Sequence, residues 1–278
     1  MENWKHLHVK IYSAEEVAEN QFKVINEVSS STTSYDENGK PVSGYSCQND
    51  GNITTDFYYE NGLLVRESSD YHTTINKYDE KGNLLESTME SDGGEQSQKF
   101  TYDENGNVTK VVQWCENLFS GEGEKITIRY IYDEKGNLIE RITKSSEGKE
   151  QIKLCYNDEG VKIAEKFVQG SYFEITEFEH DEKHTERRYH CKAKDAKTFL
   201  GTDDFTKELF EVDEFLREKK TEGDKIFEIS RFIANDTLQS KEIIITDATT
   251  GRILKYYEVE DCFCDNPSVT EKTIEYWD

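Results

Sequence analysis

Hydrophobic and polar residues alternate with a period of two along most of this chain. In residues 125–132, Ile126, Ile128, Tyr130 and Tyr132 share one side, while Lys125, Thr127 and Arg129 share the other. Successive side chains of an extended strand point to opposite faces, so the pattern predicts strands with one apolar face. A short turn sequence interrupts the alternation at regular places. Aligned on glycine, it reads YDENG (Tyr35 to Gly39), YYENG (Tyr58 to Gly62), YDEKG (Tyr78 to Gly82), YDENG (Tyr102 to Gly106), YDEKG (Tyr132 to Gly136) and YNDEG (Tyr156 to Gly160). Successive glycines lie 23, 20, 24, 30 and 24 residues apart. One more step of 24 reaches His184 in HDEKH, which is read as a seventh, decayed unit.

The turn chemistry explains the motif. Asp or Asn side chains bond nearby backbone amides, and glycine takes the positive φ that a β-carbon opposes. Both a two-residue type I′ turn and a type I turn closed by a glycine bulge satisfy the sequence. Weaker turns at QNDG (Gln48 to Gly51), SDGG (Ser91 to Gly94) and SSEG (Ser145 to Gly148) fall between the major ones, so each unit holds two strands. A lone hairpin cannot bury its apolar face, whereas stacked hairpins make that face continuous. The expected fold is therefore mainly β: an antiparallel meander or solenoid of stacked hairpin repeats, forming an open, twisted single-layer sheet with at most one or two short helices.

Two segments depart from the strand pattern. Residues 13–20 (SAEEVAEN) contain a capping-box pair, Ser13 and Glu16, suited to a short helix. Residues 202–217 place Phe205, Leu209, Val212 and Leu216 at helical spacing, with a diverged hairpin as the alternative. From Lys225 onward strands return (KIFEISRFI, KEIIIT, RILKYYEVE), separated by ANDT and DATTG turns. The resulting organisation is N-terminal strands with a possible helix in 1–34, hairpin repeats in 35–190, and a diverged β-rich region in 191–278 that continues the sheet.

Composition modifies this picture in three ways. Hydrophobic residues make up only 34% of the chain, but 16 Tyr and 14 Phe supply large side chains suited to a half-buried pleated surface. The net charge of −24 opposes direct contact with nucleic acid or an anionic membrane and favours a basic partner; acidic residues also keep exposed strands soluble. The start MENWKHLHVKIYS has no apolar leader, and no stretch is long enough for a helical span, which together lead to an expected cytoplasmic location. The cysteines at 47, 115, 155, 191, 262 and 264 are then expected to be reduced thiols.

The YDEKGNLIER type of unit resembles bacterial YD or RHS repeats, and FYYENGLL is similar to the MORN-variant repeats of a bacterial antitoxin family. The resemblance covers residues 30–190, a little over half the chain. Known RHS proteins are much longer and wrap a toxin domain in a closed shell. Stand-alone short versions are often partners of toxins, and that is what the resemblance implies here.

No catalytic signature competes with this reading. His180, His184 and His190 share a strand parity but lack a zinc-enzyme motif, and the repeat alignment accounts for the first two as the Tyr and Gly positions of a turn. DENGN has the wrong spacing for a calcium loop. Neither a cofactor nor a metal is expected. The expected function is a non-enzymatic bacterial protein-binding protein, an immunity protein or antitoxin meeting a basic toxin or effector domain. The alternative is a structural or carbohydrate-binding cell-surface repeat protein. Expected partner contacts are Trp114 and Phe119, in the insertion that lengthens one unit, and the acidic set Asp203, Asp204, Glu211, Asp213 and Glu214.

Overall fold

The computed structural model describes residues 4–18, 21–48, 51–117, 122–180, 184–260 and 268–276. Its strands begin with β1 (Trp4–Ala18), β2 (Gln21–Tyr35), β3 (Pro41–Gln48), β4 (Gly51–Glu60) and β5 (Leu63–Ser69). They continue through β6 (His72–Tyr78), β7 (Leu84–Ser91), β8 (Gly94–Tyr102), β9 (Val108–Asn117) and β10 (Glu122–Tyr132). Next come β11 (Leu138–Ser145), β12 (Gly148–Tyr156), β13 (Lys162–Gln169), β14 (Tyr172–Glu179) and β15 (Thr185–Lys192). One helix among the described residues, α1 (Ala196–Gly201), precedes β16 (Thr206–Glu222), β17 (Lys225–Ala234), β18 (Thr237–Asp247), β19 (Ile253–Glu260) and β20 (Ser268–Tyr276).

The repeat turns form as their chemistry requires, and both open alternatives occur. In the Tyr102–Gly106 unit, the Asp103 amide donates to the Asn107 carbonyl (2.9 Å), and the Gly106 amide donates to the Asp103 carbonyl (3.2 Å). Gly106 has φ +85°, so this is a type I turn closed by a glycine bulge. Asp103 Oδ1 accepts from the amides of Asn105 and Asn107, and Oδ2 accepts from the Asn107 side chain. That Asn107 side-chain bond, followed by its backbone amide, holds the Asp103 carboxyl below the usual carboxylate range. The β4–β5 connection instead places Asn61 and Gly62 both at positive φ, as a two-residue type I′ turn requires. His184, the decayed glycine position, keeps φ +45°.

The repeat tyrosine does more than fill the sheet face. Tyr78 donates to the Leu64 carbonyl, Tyr102 to that of Leu84, Tyr132 to Val108 and Tyr156 to Leu138, all at 2.8–3.0 Å. Each acceptor sits two residues after the glycine of the preceding unit, so every hydroxyl staples its own unit to the last. The C-terminal strands keep the device: Tyr276 bonds both backbone groups of Ile253, two residues beyond Gly251.

Contacts divide the chain into two units, 1–57 with 180–185 and 213–278, and 58–179 with 186–212. In the first, Ile229, Ile243, Val259 and Val269 are fully buried, with Ile229 opposite Ile243 and Val259 opposite Val269. In the second, α1 lies over the sheet and buries Phe199 and Leu200 against Val168, Ile175 and Cys191.

Three expectations are corrected. The sheet is not open: all twenty strands belong to one antiparallel sheet, and β1 pairs with β2 on one side and with β20 on the other. The ladder therefore closes on itself instead of running as an open solenoid, because the first and last strands satisfy each other's backbone groups and leave no free edge between them. Residues 13–18 continue β1 instead of starting a helix, with register shifts that absorb the irregularity. Residues 206–222 form β16, and the helix lies just upstream, where Asp195 caps it by accepting from the Thr198 amide at 2.8 Å.

Candidate functional site

Register decides which side chains share a face. Across β9 and β10, Lys110 stands directly opposite Arg129, and Trp114 opposite Lys125. On the same face, Lys144 of β11 lies opposite Lys149 of β12, and Lys153 of β12 lies opposite Lys166 of β13. Three cation pairs therefore face each other across the strands of one sheet face, in a chain carrying 58 acidic residues against 34 basic ones. Like charges in directly opposed positions destabilise a sheet, so the arrangement needs an explanation beyond folding.

One of the three pairs is explained internally. The helix α1 presents its C-terminal carbonyls to the sheet: Lys153 Nζ donates to the Leu200 carbonyl at 2.9 Å, and Lys166 Nζ to the carbonyls of Phe199 (3.2 Å) and Thr202 (2.8 Å). Lys166 also meets the Asp203 carboxylate at 3.1 Å and lies over the Phe205 ring. Cations at a helix C-terminus satisfy its unbonded carbonyls and offset its negative end. That is how Lys166, only 6% exposed, tolerates burial.

The other two pairs lie bare. Lys125, Arg129, Lys144 and Lys149 are exposed and Lys110 is half-buried. Among the described residues, Lys110, Lys125, Arg129 and Lys144 form no ion pair, while Lys149 donates to the Gln151 side chain. Two acids of this face are engaged elsewhere, Glu86 with Lys77 and Lys99 and Glu140 with Gln151, while Glu116, two residues from Trp114 on the same face, is exposed. Apolar surface is interleaved with the cations. Ile131 and Trp114 are each 41% exposed, and Ile142 lies opposite Arg129. The indole extends over Gly123, where any β-carbon would overlap its six-membered ring. At one end this face runs into a cleft of about 480 Å³ beside α1, whose lining includes Lys149, Lys153, Lys197 and Leu200.

Of the residues singled out from the sequence, Trp114 lies on this face, and Phe119 lies outside the described residues. The acidic set is not brought together. Asp203 braces Lys166, Glu211 pairs with Arg188, Asp213 is fully buried, Asp204 is exposed beside the helix end and Glu214 is half-buried in β16. Cys47, Cys115, Cys155 and Cys191 are free thiols, while Cys262 and Cys264 lie outside the described residues. The His180 and His184 rings lie 4.8 Å apart at a tilt of 47°, whereas His190 stacks on Phe210 instead. Sequence reading missed the cation pairs, because each is defined by pairing register and not by a motif.

No protein-family model matches the chain, and no curated protein does. Among solved structures, it is similar to a porin-like protein from Bacteroides uniformis ATCC 8492, at 10% identity and a TM-score of 0.30, covering 99% of this chain and 98% of that one. A porin-like protein from Bacteroides vulgatus ATCC 8482 matches at 10% identity and a TM-score of 0.24, covering 96% and 97%. Likeness at these scores carries no assignment.

The functional expectations are corrected with the fold. An immunity protein or antitoxin presenting an open sheet, and a structural or carbohydrate-binding surface repeat protein, both presuppose the open repeat array. Pairing of β1 with β20 removes that premise. The cytoplasmic location falls for a related reason. No helix among the described residues is long and apolar enough to cross a membrane, but closed antiparallel sheets cross with strands, so that test does not locate this chain.

Proposed function

We propose that this chain is a non-catalytic recognition protein that binds an anionic partner through the cationic face of β9–β12. The observation that carries the reading is the pair Lys110 and Arg129, directly opposed and without an ion pair among the described residues, in a chain of net charge −24. Local charge at close range outweighs a distant field of opposite sign once salt screens beyond roughly 8–10 Å. A partner seated on the face therefore meets these cations first. The groups offered are those of binding: guanidinium and ammonium donors, an indole and aliphatic side chains.

Titration with polyglutamate tests the reading, since a protein this acidic has no reason to bind a polyanion except through such a face. Binding should be measurable at roughly 0.1 M salt, where the distant field is already screened, weaken toward molar salt, and fall at least fivefold in Lys110→Gln/Arg129→Gln. Absence of binding, or binding indifferent to that double substitution, overturns the proposal.

A further inference from the structure

The same sheet face displays one cation pair with its ligand already in place, and that ligand is a piece of polypeptide. At Lys153 and Lys166 the occupant comprises the carbonyls that end α1, the Asp203 carboxylate, and the apolar side chains of Phe199 and Leu200 sunk beside them. The bare pairs repeat both halves of that receptor. Lys110 and Arg129 supply the charge, and Ile142, Ile131 and Trp114 supply the apolar neighbours. Lys144 and Lys149 continue the row toward the cleft beside α1, where Lys149 and Leu200 both form part of the wall.

Resting on the proposed recognition function, we infer that the anionic partner is an acidic polypeptide segment carrying an apolar anchor, which docks alongside α1 and covers the bare cation pairs as α1 covers Lys153 and Lys166. Opposed side chains on neighbouring strands begin about 5 Å apart. A cluster of chain-end carbonyls spans two cations at that spacing, as the end of α1 does between Lys153 and Lys166, and a carboxylate adds to one of them, as Asp203 does on Lys166. A long nucleic-acid strand fits less well, because the chain's strongly acidic composition would repel every phosphate extending beyond the patch.

The probe is a fluorescein-labelled peptide bearing the chain's own sequence from Phe199 to Asp204, FLGTDD, extended by glutamates. The comparator is an oligodeoxythymidylate of equal charge. In anisotropy titrations against the whole protein, the peptide should bind more tightly than the oligonucleotide. Lys110→Glu/Arg129→Glu and, separately, Lys144→Glu/Lys149→Glu should each weaken it about tenfold or more, with circular dichroism unchanged. Should either reversal disturb the fold, the Gln versions replace it. If the oligonucleotide binds better and does so through the same cations, the polypeptide assignment falls while the anionic-partner reading stands. If neither probe binds, both fall. Peptide binding unaffected by either double substitution also overturns the inference.

Discussion

Strands β9–β11 and strands β12–β14 present the same face of one sheet, yet they resolve like-charge opposition in different ways. Under α1, Lys153 and Lys166 point into carbonyl oxygens and an apolar cluster, so two adjacent cations become a structural joint. Two strands away, Lys110 and Arg129 occupy equivalent opposed positions, one half-buried and the other exposed, and neither meets a carboxylate among the described residues. The difference teaches that a cation pair on this sheet is a receptor for polypeptide oxygen. Where the chain supplies the ligand, the pair stabilises the fold; where it does not, the pair costs stability and is free for a partner.

The largest effect that could break the comparison comes from removing the apolar anchor of the covered region. Phe199→Ala deletes a fully buried ring that touches Phe173 and Phe205. It should destabilise the chain by about 3–5 kcal/mol in urea unfolding. If the receptor logic holds, loss of the α1 seat also exposes Lys153 and Lys166, so polyglutamate should bind the variant more tightly under native conditions. A destabilised variant with unchanged polyanion affinity would mean that the covered and bare pairs are not equivalent receptors.

Lys166→Met separates charge from volume. The methionine keeps most of the apolar stem, but the buried Phe199 carbonyl and that of Thr202 lose their donor. A buried acceptor left unsatisfied costs about 1–3 kcal/mol, so chemical denaturation should report a loss in that range. A gain instead would show that burying Lys166 was a net cost and that α1 docks through its apolar residues alone.

How much of this was legible beforehand depends on the reach of the interaction. Turns are local, so YDENG announced its Asp bonds and its positive-φ glycine within five residues but not which of two turn types it takes, and even the His184 replacement kept the left-handed backbone. The tyrosine staples reach a carbonyl 14–24 residues back, so the alignment showed a recurrent Tyr but not the hydroxyl's acceptor. Closure joins β1 to β20 and has no local signal at all. The helix was displaced by a few residues because Phe205, Leu209, Val212 and Leu216 happen to fall at helical spacing. Asp195 and the two lysines that receive the helix end, the groups that decide the matter, lie outside that window. Trp114 could be found as part of the insertion that lengthens one repeat. Lys110 and Arg129 became a pair only once register placed them opposite each other.

The smallest expected effect has the opposite sign and is therefore the sharpest. Arg129→Thr replaces an exposed, unpaired cation with a strong strand former, beside Thr127 two positions earlier on the same face. Relief of opposition to Lys110 should raise stability by about 0.2–1 kcal/mol at low salt. Strand propensity alone could produce a gain, but it would persist when salt screens charge, whereas relief of repulsion shrinks as ionic strength rises. Urea midpoints at low and at molar salt separate the two. The gain at low salt should largely vanish at high salt, and Lys166→Met should remain destabilising at both. If Arg129→Thr instead lowers stability, Arg129 has an intramolecular role that its bare position conceals, and the contrast between a covered joint and a waiting receptor loses its second half.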